Sequence, residues 1–201
     1  MSLIKLTNYL SFLSTLIILC VFFFTLQDFY PSKFPKERPN HIHTTIYIDR
    51  NFNDVEQEYI MQAAWEWAEA TNHIAEFDVV QLPTREKIDV QHALIMIKVS
   101  ADYPDIIIMD NVKKTTTLGY FDGRSPLPYI SLVQDRLDDY NYKSVVLHEL
   151  GHALGLEHVE GEKGMLTLMY PYIDLGADHI TQTDLNQFCE LYHCDAKKLK
   201  H

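Results

Sequence analysis

The eleven residues from His148 to His158 constrain the fold of this chain more than any other stretch. They read His-Glu-Leu-Gly-His-Ala-Leu-Gly-Leu-Glu-His. His148 and His152 are four positions apart, so on a helix both imidazoles project from one face and could bind one metal ion. On a continuous helix His158 would lie about 15 Å along the axis from His148 and about 80° around it. It can share the metal only if the helix ends after His152 and the chain turns back.

The turn that this geometry requires is best placed at Gly155. Glycine adopts positive φ at a helix end without a steric penalty from a Cβ atom. Three histidine ligands leave a fourth coordination position for water, which is typical of catalytic rather than structural zinc sites. Glu149 directly follows the first histidine, so its carboxylate could reach that water and act as general base. The sequence therefore predicts one catalytic Zn²⁺, bound by His148, His152 and His158, with Glu149 as the catalytic residue.

The pattern at residues 148–158 is identified as that of the metzincin metalloproteases, and further segments resemble the matrixins in particular. Leu168-Met169-Tyr170-Pro171 resembles the matrixin form of the tight methionine turn that lies beneath the metal. The weaker similarities are a first helix around residues 63–71, an edge strand at residues 118–120 and a C-terminal helix at residues 180–192. The resemblance covers about residues 43–195 and implies a zincin-type α+β catalytic domain similar to those of matrix metalloproteases.

The resemblance also implies a function, that of a zinc-dependent metalloendopeptidase acting on proteins or peptides through a metal-activated water. Met169 would form a hydrophobic floor under the three imidazoles. The substrate would be bordered by residues of the edge strand and of the turn, namely Leu118, Gly119, Tyr120, Tyr170, Pro171 and Tyr172. The alternative is a module that contains zinc and binds peptides without cutting them. Glu149 favours the enzyme, because a pure binding module has no need of a base there.

Hydrophobic periodicity predicts an α+β domain, with a mixed, twisted sheet of about five strands and three helices packed on it. The strands are expected at residues 44–48, 74–80, 93–99, 118–121 and 129–133. The helices are expected from Asn53 or Asp54 to about Ala70, at residues 144–154 and at residues 181–192. The strand at 93–99 is almost continuously apolar, which favours a central position covered on both faces. A short apolar run at residues 106–109 has no evident pairing partner.

The N-terminal segment is predicted to lie outside this domain. Residues 6–27 carry no charge and are mostly apolar; as a helix they would span about 33 Å, enough for the hydrocarbon core of a bilayer. We expect residues 1–26 to be a transmembrane signal anchor; a cleaved signal peptide, which would release a secreted protease, is the alternative. Residues 27–42 contain three prolines and predict an extended tether. Residues 43–201 would form the catalytic domain, which its chemistry rather than its charge places outside the cytoplasm.

The net charge of the chain indicates which classes of binding partner to expect. The chain has 28 acidic and 17 basic residues and a net charge of −11, and this acidic balance argues against nucleic acid. The expected partners are a protein or peptide substrate and the membrane, contacted through residues 6–27. The sequence does not indicate an oligomeric state.

Two further features are left open by the sequence. Cys189 and Cys194 could form a disulfide if the last helix ends near Tyr192, but they are too far apart within a continuous helix. Such a bond would require an oxidising compartment. Ca²⁺ is a second candidate cofactor, with oxygen ligands from Asp135, Asp138, Asp139 and Asn141, but a solvated acidic loop is the favoured explanation of these residues.

Overall fold

The computed structural model of the chain describes residues 41–83, 88–113, 115–162, 164–172 and 176–199. The predicted signal anchor and nearly all of the predicted tether lie outside these ranges, so both stay predictions. Within the described ranges, none of the helices has the length and apolar character needed to cross a bilayer.

A single five-stranded sheet forms the framework of the domain. Its strands are β1 (Ile42–Ile48), β2 (Ala75–Gln81), β3 (Ala93–Val99), β4 (Gly119–Asp122) and β5 (Tyr129–Val133). Their order is β2-β1-β3-β5-β4. All neighbouring strands are parallel except β4, which runs antiparallel to β5. The prediction of a mixed sheet of five strands is confirmed, as is the central place of β3, and β4 is left at one edge.

Among the described residues, four α-helices accompany the sheet: α1 (Asp54–Ala70), α2 (Pro104–Lys113), α3 (Tyr142–Ala153) and α4 (Gln182–Tyr192). α1 begins with a capping box, in which the Asn53 side chain accepts from the Glu56 N–H and the Glu56 carboxylate accepts from the Asn53 N–H. Trp67 of this helix is fully buried, whereas Trp65 remains 63% exposed on the opposite side. The strands and helices that the sequence predicts lie within about two residues of the observed bounds.

The prediction of three helices was wrong, because residues 106–109 belong to the fourth helix, α2. Only Ile106 of this helix is buried, while Ile107, Ile108 and Val112 are exposed. Apolar residues on the solvent side conceal the periodicity by which an amphipathic helix is recognised. The remaining helix signals are local: Pro104 is the first helical residue, Asp105 follows in the first turn and Lys113 lies in the last.

The core lies between the sheet and the two helices α1 and α3. Trp67 donates from Nε1 to the Leu147 carbonyl at 2.9 Å, which ties α1 to the helix that carries the first two histidines. α4 closes the core from the other side, where Phe188 lies 6.4 Å from Trp67 between ring centroids. α3 is therefore held between α1, α4 and the sheet.

The cysteine pair left open by the sequence forms a disulfide. α4 ends at Tyr192, and His193 adopts a left-handed conformation with φ 56°. The turn brings the Cα atoms of Cys189 and Cys194 to 4.5 Å, well inside the limit of about 7 Å for a bridge.

Candidate metal centre and active-site cleft

α3 presents His148 and His152 on one face, and the backbone fixes the orientation of both rings. His148 Nδ1 lies 2.8 Å from the Leu168 carbonyl, and His152 Nδ1 lies 2.9 Å from the Leu156 carbonyl. A carbonyl oxygen only accepts, so each Nδ1 carries the proton and donates it. Each Nε2 is then left with a free lone pair, which is the form that binds a metal.

The third histidine is brought to the other two by the predicted turn. α3 ends at Ala153, and Gly155 has a φ of 89°. The Leu156 N–H donates to the Gly151 carbonyl at 2.9 Å, which closes the helix end in the manner of a glycine C-cap. The prediction that the chain turns back at Gly155 is confirmed.

The three Nε2 atoms converge on one point. His158 Nε2 lies 3.1 Å from both His148 Nε2 and His152 Nε2. Nitrogen ligands of a tetrahedral zinc ion are separated by about 3.3 Å when each Zn–N bond is about 2.05 Å long. At least two of the three nitrogens present lone pairs rather than protons, so their arrangement suits the binding of one shared cation. In the part of the chain that the structure describes, this is the one group of three or more His, Cys, Asp or Glu side chains whose donor atoms converge.

Partial loss of hydration keeps these three rings neutral, although the His158 side chain itself is exposed. This desolvation lowers the pKa of His148 to about 3 and that of His158 to about 4, and it also lowers the pKa of His152. Metal binding requires the unprotonated ring. The site is therefore ready to bind a cation at neutral pH without first releasing protons, and its residues fit the zinc ion that the sequence predicts.

Glu149 lies buried beside the three histidines. A Cβ atom at Gly119 would stand 2.7 Å from its Oε1, so the glycine of β4 makes room for the carboxylate. Glu149 Oε2 has no hydrogen-bond partner among the described residues. Burial raises the pKa of Glu149 to about 8, although the Lys113 charge and a backbone hydrogen bond from Phe121 oppose this. A buried carboxylate with one unused oxygen is suited to hold and transfer a proton.

Met169 lies fully buried beneath the histidine helix, as the sequence predicts for the methionine turn. A Cβ atom on Gly151 would come within 2.5 Å of Met169 Sδ, so only glycine lets the helix approach the turn so closely. The Met169 carbonyl accepts from the Val159 N–H at 2.9 Å, immediately after His158. The turn thus supports both the helix and the returning chain.

Asp184 supports this turn as well as the start of α4. The Thr181 N–H donates to it at 2.8 Å in a capping box. Its two oxygens also accept from the N–H groups of Leu168 and Met169, at 3.1 and 3.2 Å. No local pattern could reveal these bonds, because they join residues about fifteen positions apart.

A cleft of about 660 Å³ opens over the metal centre. Of the six predicted substrate-binding residues, five line it: Leu118, Gly119, Tyr120, Pro171 and Tyr172. Tyr170 is not in the lining; its ring packs edge-on against Tyr172 at 5.5 Å. The cleft also includes Lys113 and residues 115–117, which sequence reasoning missed because it did not recognise α2.

A glycine-terminated His-Glu-x-x-His helix, placed on a mixed sheet above a buried methionine turn, defines a metzincin-like protein. The matrixin family model (peptidase M10) matches residues 40–193, and the chain belongs to this family. The macrophage metalloelastase of Oryctolagus cuniculus is 32% identical in an alignment of 112 positions that covers 47% of this chain. The same alignment covers only 24% of the metalloelastase, so the chain spans about a quarter of that protein.

The domain is similar to several solved structures, including the following two. The archaemetzincin of Methanopyrus kandleri has a TM-score of 0.47 and 12% identity, covering 80% of this chain and 100% of its own. High choriolytic enzyme 1, a hatching enzyme zinc-protease from Oryzias latipes, has a TM-score of 0.47 and 14% identity, covering 82% of this chain and 96% of its own.

Proposed function

We propose that the protein is a zinc-dependent metalloendopeptidase. The observation that carries this proposal is the convergence of three histidine Nε2 atoms, with neighbouring distances of 3.1 Å, beside a buried carboxylate at the base of an open cleft. Three neutral imidazoles are the ligand set of a catalytic rather than a closed structural zinc site. Membership of the matrixin family supports the same function.

His148, His152 and His158 would hold the ion. When bound, zinc supplies a Lewis acid that polarises a carbonyl oxygen and acidifies water. Glu149 would accept a proton from the attacking water and later deliver it to the departing amine nitrogen. Its free Oε2 beside the three histidines supports this role, because no other described group competes for the proton at that oxygen.

The substrate would bind as an extended peptide along β4. This strand stands at the edge of the sheet and pairs only with β5 among the described strands. A peptide added to a free strand edge gains main-chain hydrogen bonds that are independent of its sequence. Leu118, Gly119 and Tyr120 would contribute this edge, and Pro171 and Tyr172 would border the opposite side of the cleft.

Glu149→Gln tests the mechanism. The amide keeps the size of the side chain but cannot take up a proton, so zinc content should be unchanged while hydrolysis falls at least 100-fold, the lower range of general acid–base contributions. Zinc is measured by elemental analysis, and cleavage with a quenched fluorescent peptide library. Glu190→Gln, an exposed position on α4, is the matched control and should keep full activity.

The same library separates the enzyme from the peptide-binding alternative. A peptidase cleaves the library, loses this activity in a zinc chelator and regains it when zinc is added back. Full activity of Glu149→Gln would remove Glu149 from the mechanism. A wild-type protein that holds zinc and binds the peptides without cutting any of them would establish the binding module instead.

We further propose that the domain acts outside the cytoplasm, anchored by residues 1–26 or secreted after their removal. The disulfide between Cys189 and Cys194 supports this location, because such bonds persist in oxidising compartments. Mass spectrometry of the mature N-terminus distinguishes the anchored from the secreted form. Protease treatment of intact cells that leaves the anchored domain uncut would contradict the outward orientation.

A further inference from the structure

The side-chain amide of Gln187 binds the backbone of the segment that joins the second and third histidines. Its Oε1 accepts from the Glu157 N–H at 2.6 Å, and its Nε2 donates to the Glu157 carbonyl at 3.1 Å. One amide of α4 therefore holds two successive peptide groups, immediately before His158.

These two bonds continue to the ring of His152. The peptide group between Leu156 and Glu157 accepts from His152 Nδ1 through its carbonyl at 2.9 Å, and donates to Gln187 through its N–H. A peptide that donates on one side becomes a better acceptor on the other, because linked hydrogen bonds polarise each other. Gln187 is thus connected to His152 through one peptide group and to His158 through the next.

This segment depends on such support because it lies at the surface. Glu157 and His158 are both exposed, and the segment begins at the left-handed Gly155. α4 holds it at a second point, where the Tyr192 hydroxyl donates to the Leu154 carbonyl at 2.8 Å. Of these two contacts, the one made by Gln187 is nearer to the third histidine, because it holds Glu157 whereas Tyr192 holds Leu154.

We propose that Gln187 is a positioning residue of the metal centre, fixing the peptide groups that orient His152 and His158. The inference rests on the proposed function, since it concerns the same zinc site. Groups hydrogen-bonded to metal ligands typically contribute 10- to 100-fold to metal affinity. Gln187 acts through an intervening peptide group, so we expect its loss to weaken zinc binding by about tenfold, at the lower end of that range.

The experiment compares Gln187→Met and Gln187→Glu with the wild type, each as the full-length chain in a mild detergent. Methionine keeps the length of the side chain but removes both hydrogen bonds. Glutamate keeps the acceptor for the Glu157 N–H and loses the donor to its carbonyl. Zinc affinity is measured by competition with a chromophoric chelator, and ligand geometry by the visible absorption of the Co²⁺-substituted protein. We expect weaker zinc binding and an altered Co²⁺ spectrum for Gln187→Met, with Gln187→Glu intermediate.

Gln182→Met is the matched control. Gln182 lies on the same helix and donates to the Ala196 carbonyl at 3.2 Å, away from the histidine turn, so its loss should leave zinc affinity unchanged. Thermal unfolding of the metal-free proteins measures any purely structural role. If Gln187→Met lowers that melting temperature but binds zinc and Co²⁺ as the wild type does, the inference is wrong. A wild-type protein that binds no zinc would instead overturn the proposed function.

Discussion

At the scale of single residues, Asp184 shows how one buried carboxylate joins two parts of the domain. Its side chain is fully buried and receives four hydrogen bonds, two from Thr181 and one each from the Leu168 and Met169 amides. Four donors surround the buried charge and compensate for its loss of hydration. The start of α4 and the methionine turn therefore depend on the same group.

Asp184→Ala should lower the free energy of unfolding by about 3–4 kcal/mol, because it leaves several buried donors without an acceptor. Urea unfolding of the metal-free protein measures this. Asp178→Ala is the comparison, since that carboxylate is 87% exposed and pairs with His179 at the surface; we expect it to change stability by less than about 0.5 kcal/mol. A loss below about 1 kcal/mol for Asp184→Ala would contradict the anchoring role.

At the scale of elements, α2 reaches the cleft through its last residue, Lys113, and an ion pair fixes the helix in place. Arg136 donates from Nη2 to Asp110 at 2.8 Å and from Nη1 to the Thr117 carbonyl, also at 2.8 Å. The other oxygen of Asp110 accepts from the Thr117 N–H at 2.8 Å. These three bonds connect α2 to the residues that enter β4, so the helix and this edge of the cleft are held together.

This network predicts a pH dependence of stability. Burial raises the pKa of Asp110, but hydrogen bonds from Arg136 and Thr117 outweigh it and hold the pKa below its usual range. A carboxyl group with a depressed folded-state pKa contributes stability above its unfolded pKa, about 3.9, and loses that contribution as pH falls through the folded value. We expect Arg136→Gln to cost about 2 kcal/mol near neutral pH, and the cost to shrink below about pH 4.

Urea unfolding of the wild type and Arg136→Gln across this pH range provides the measurement. Arg124→Gln is the control, because the Arg124 side chain is 90% exposed and its Nε lies 3.9 Å from Asp122; it should change little at any pH. A cost for Arg136→Gln that stays constant down to about pH 2 would show that the Asp110 charge is not its source.

At the scale of the whole molecule, metal binding and folding should be linked. A zinc ion bound only by the folded chain stabilises it by about 4.1 kcal/mol when free zinc is a thousandfold above the dissociation constant. Dialysis against a chelator should therefore lower the melting temperature, and added zinc should restore it while added magnesium should not. An unchanged melting temperature after complete metal removal would contradict this linkage.

The parts of this molecule that the sequence predicts well are the ones encoded locally. The histidine spacing and Gly155 lie within eleven consecutive residues, and the five strands have clear apolar patterns. α2 was not predicted because its exposed isoleucines obscure the hydrophobic periodicity of an amphipathic helix. The contacts of Gln187 and Asp184 were not predicted because they join segments that come together only in the folded chain.

The dependence of the histidine turn on α4 has a consequence for the order of assembly. During synthesis, the segment carrying all three imidazoles is made before residues 182–192 and leaves the ribosome ahead of them. Until α4 docks, neither Gln187 nor Tyr192 can hold the segment between His152 and His158. A nascent chain should therefore acquire a well-ordered cation site only after α4 has packed against the histidine turn.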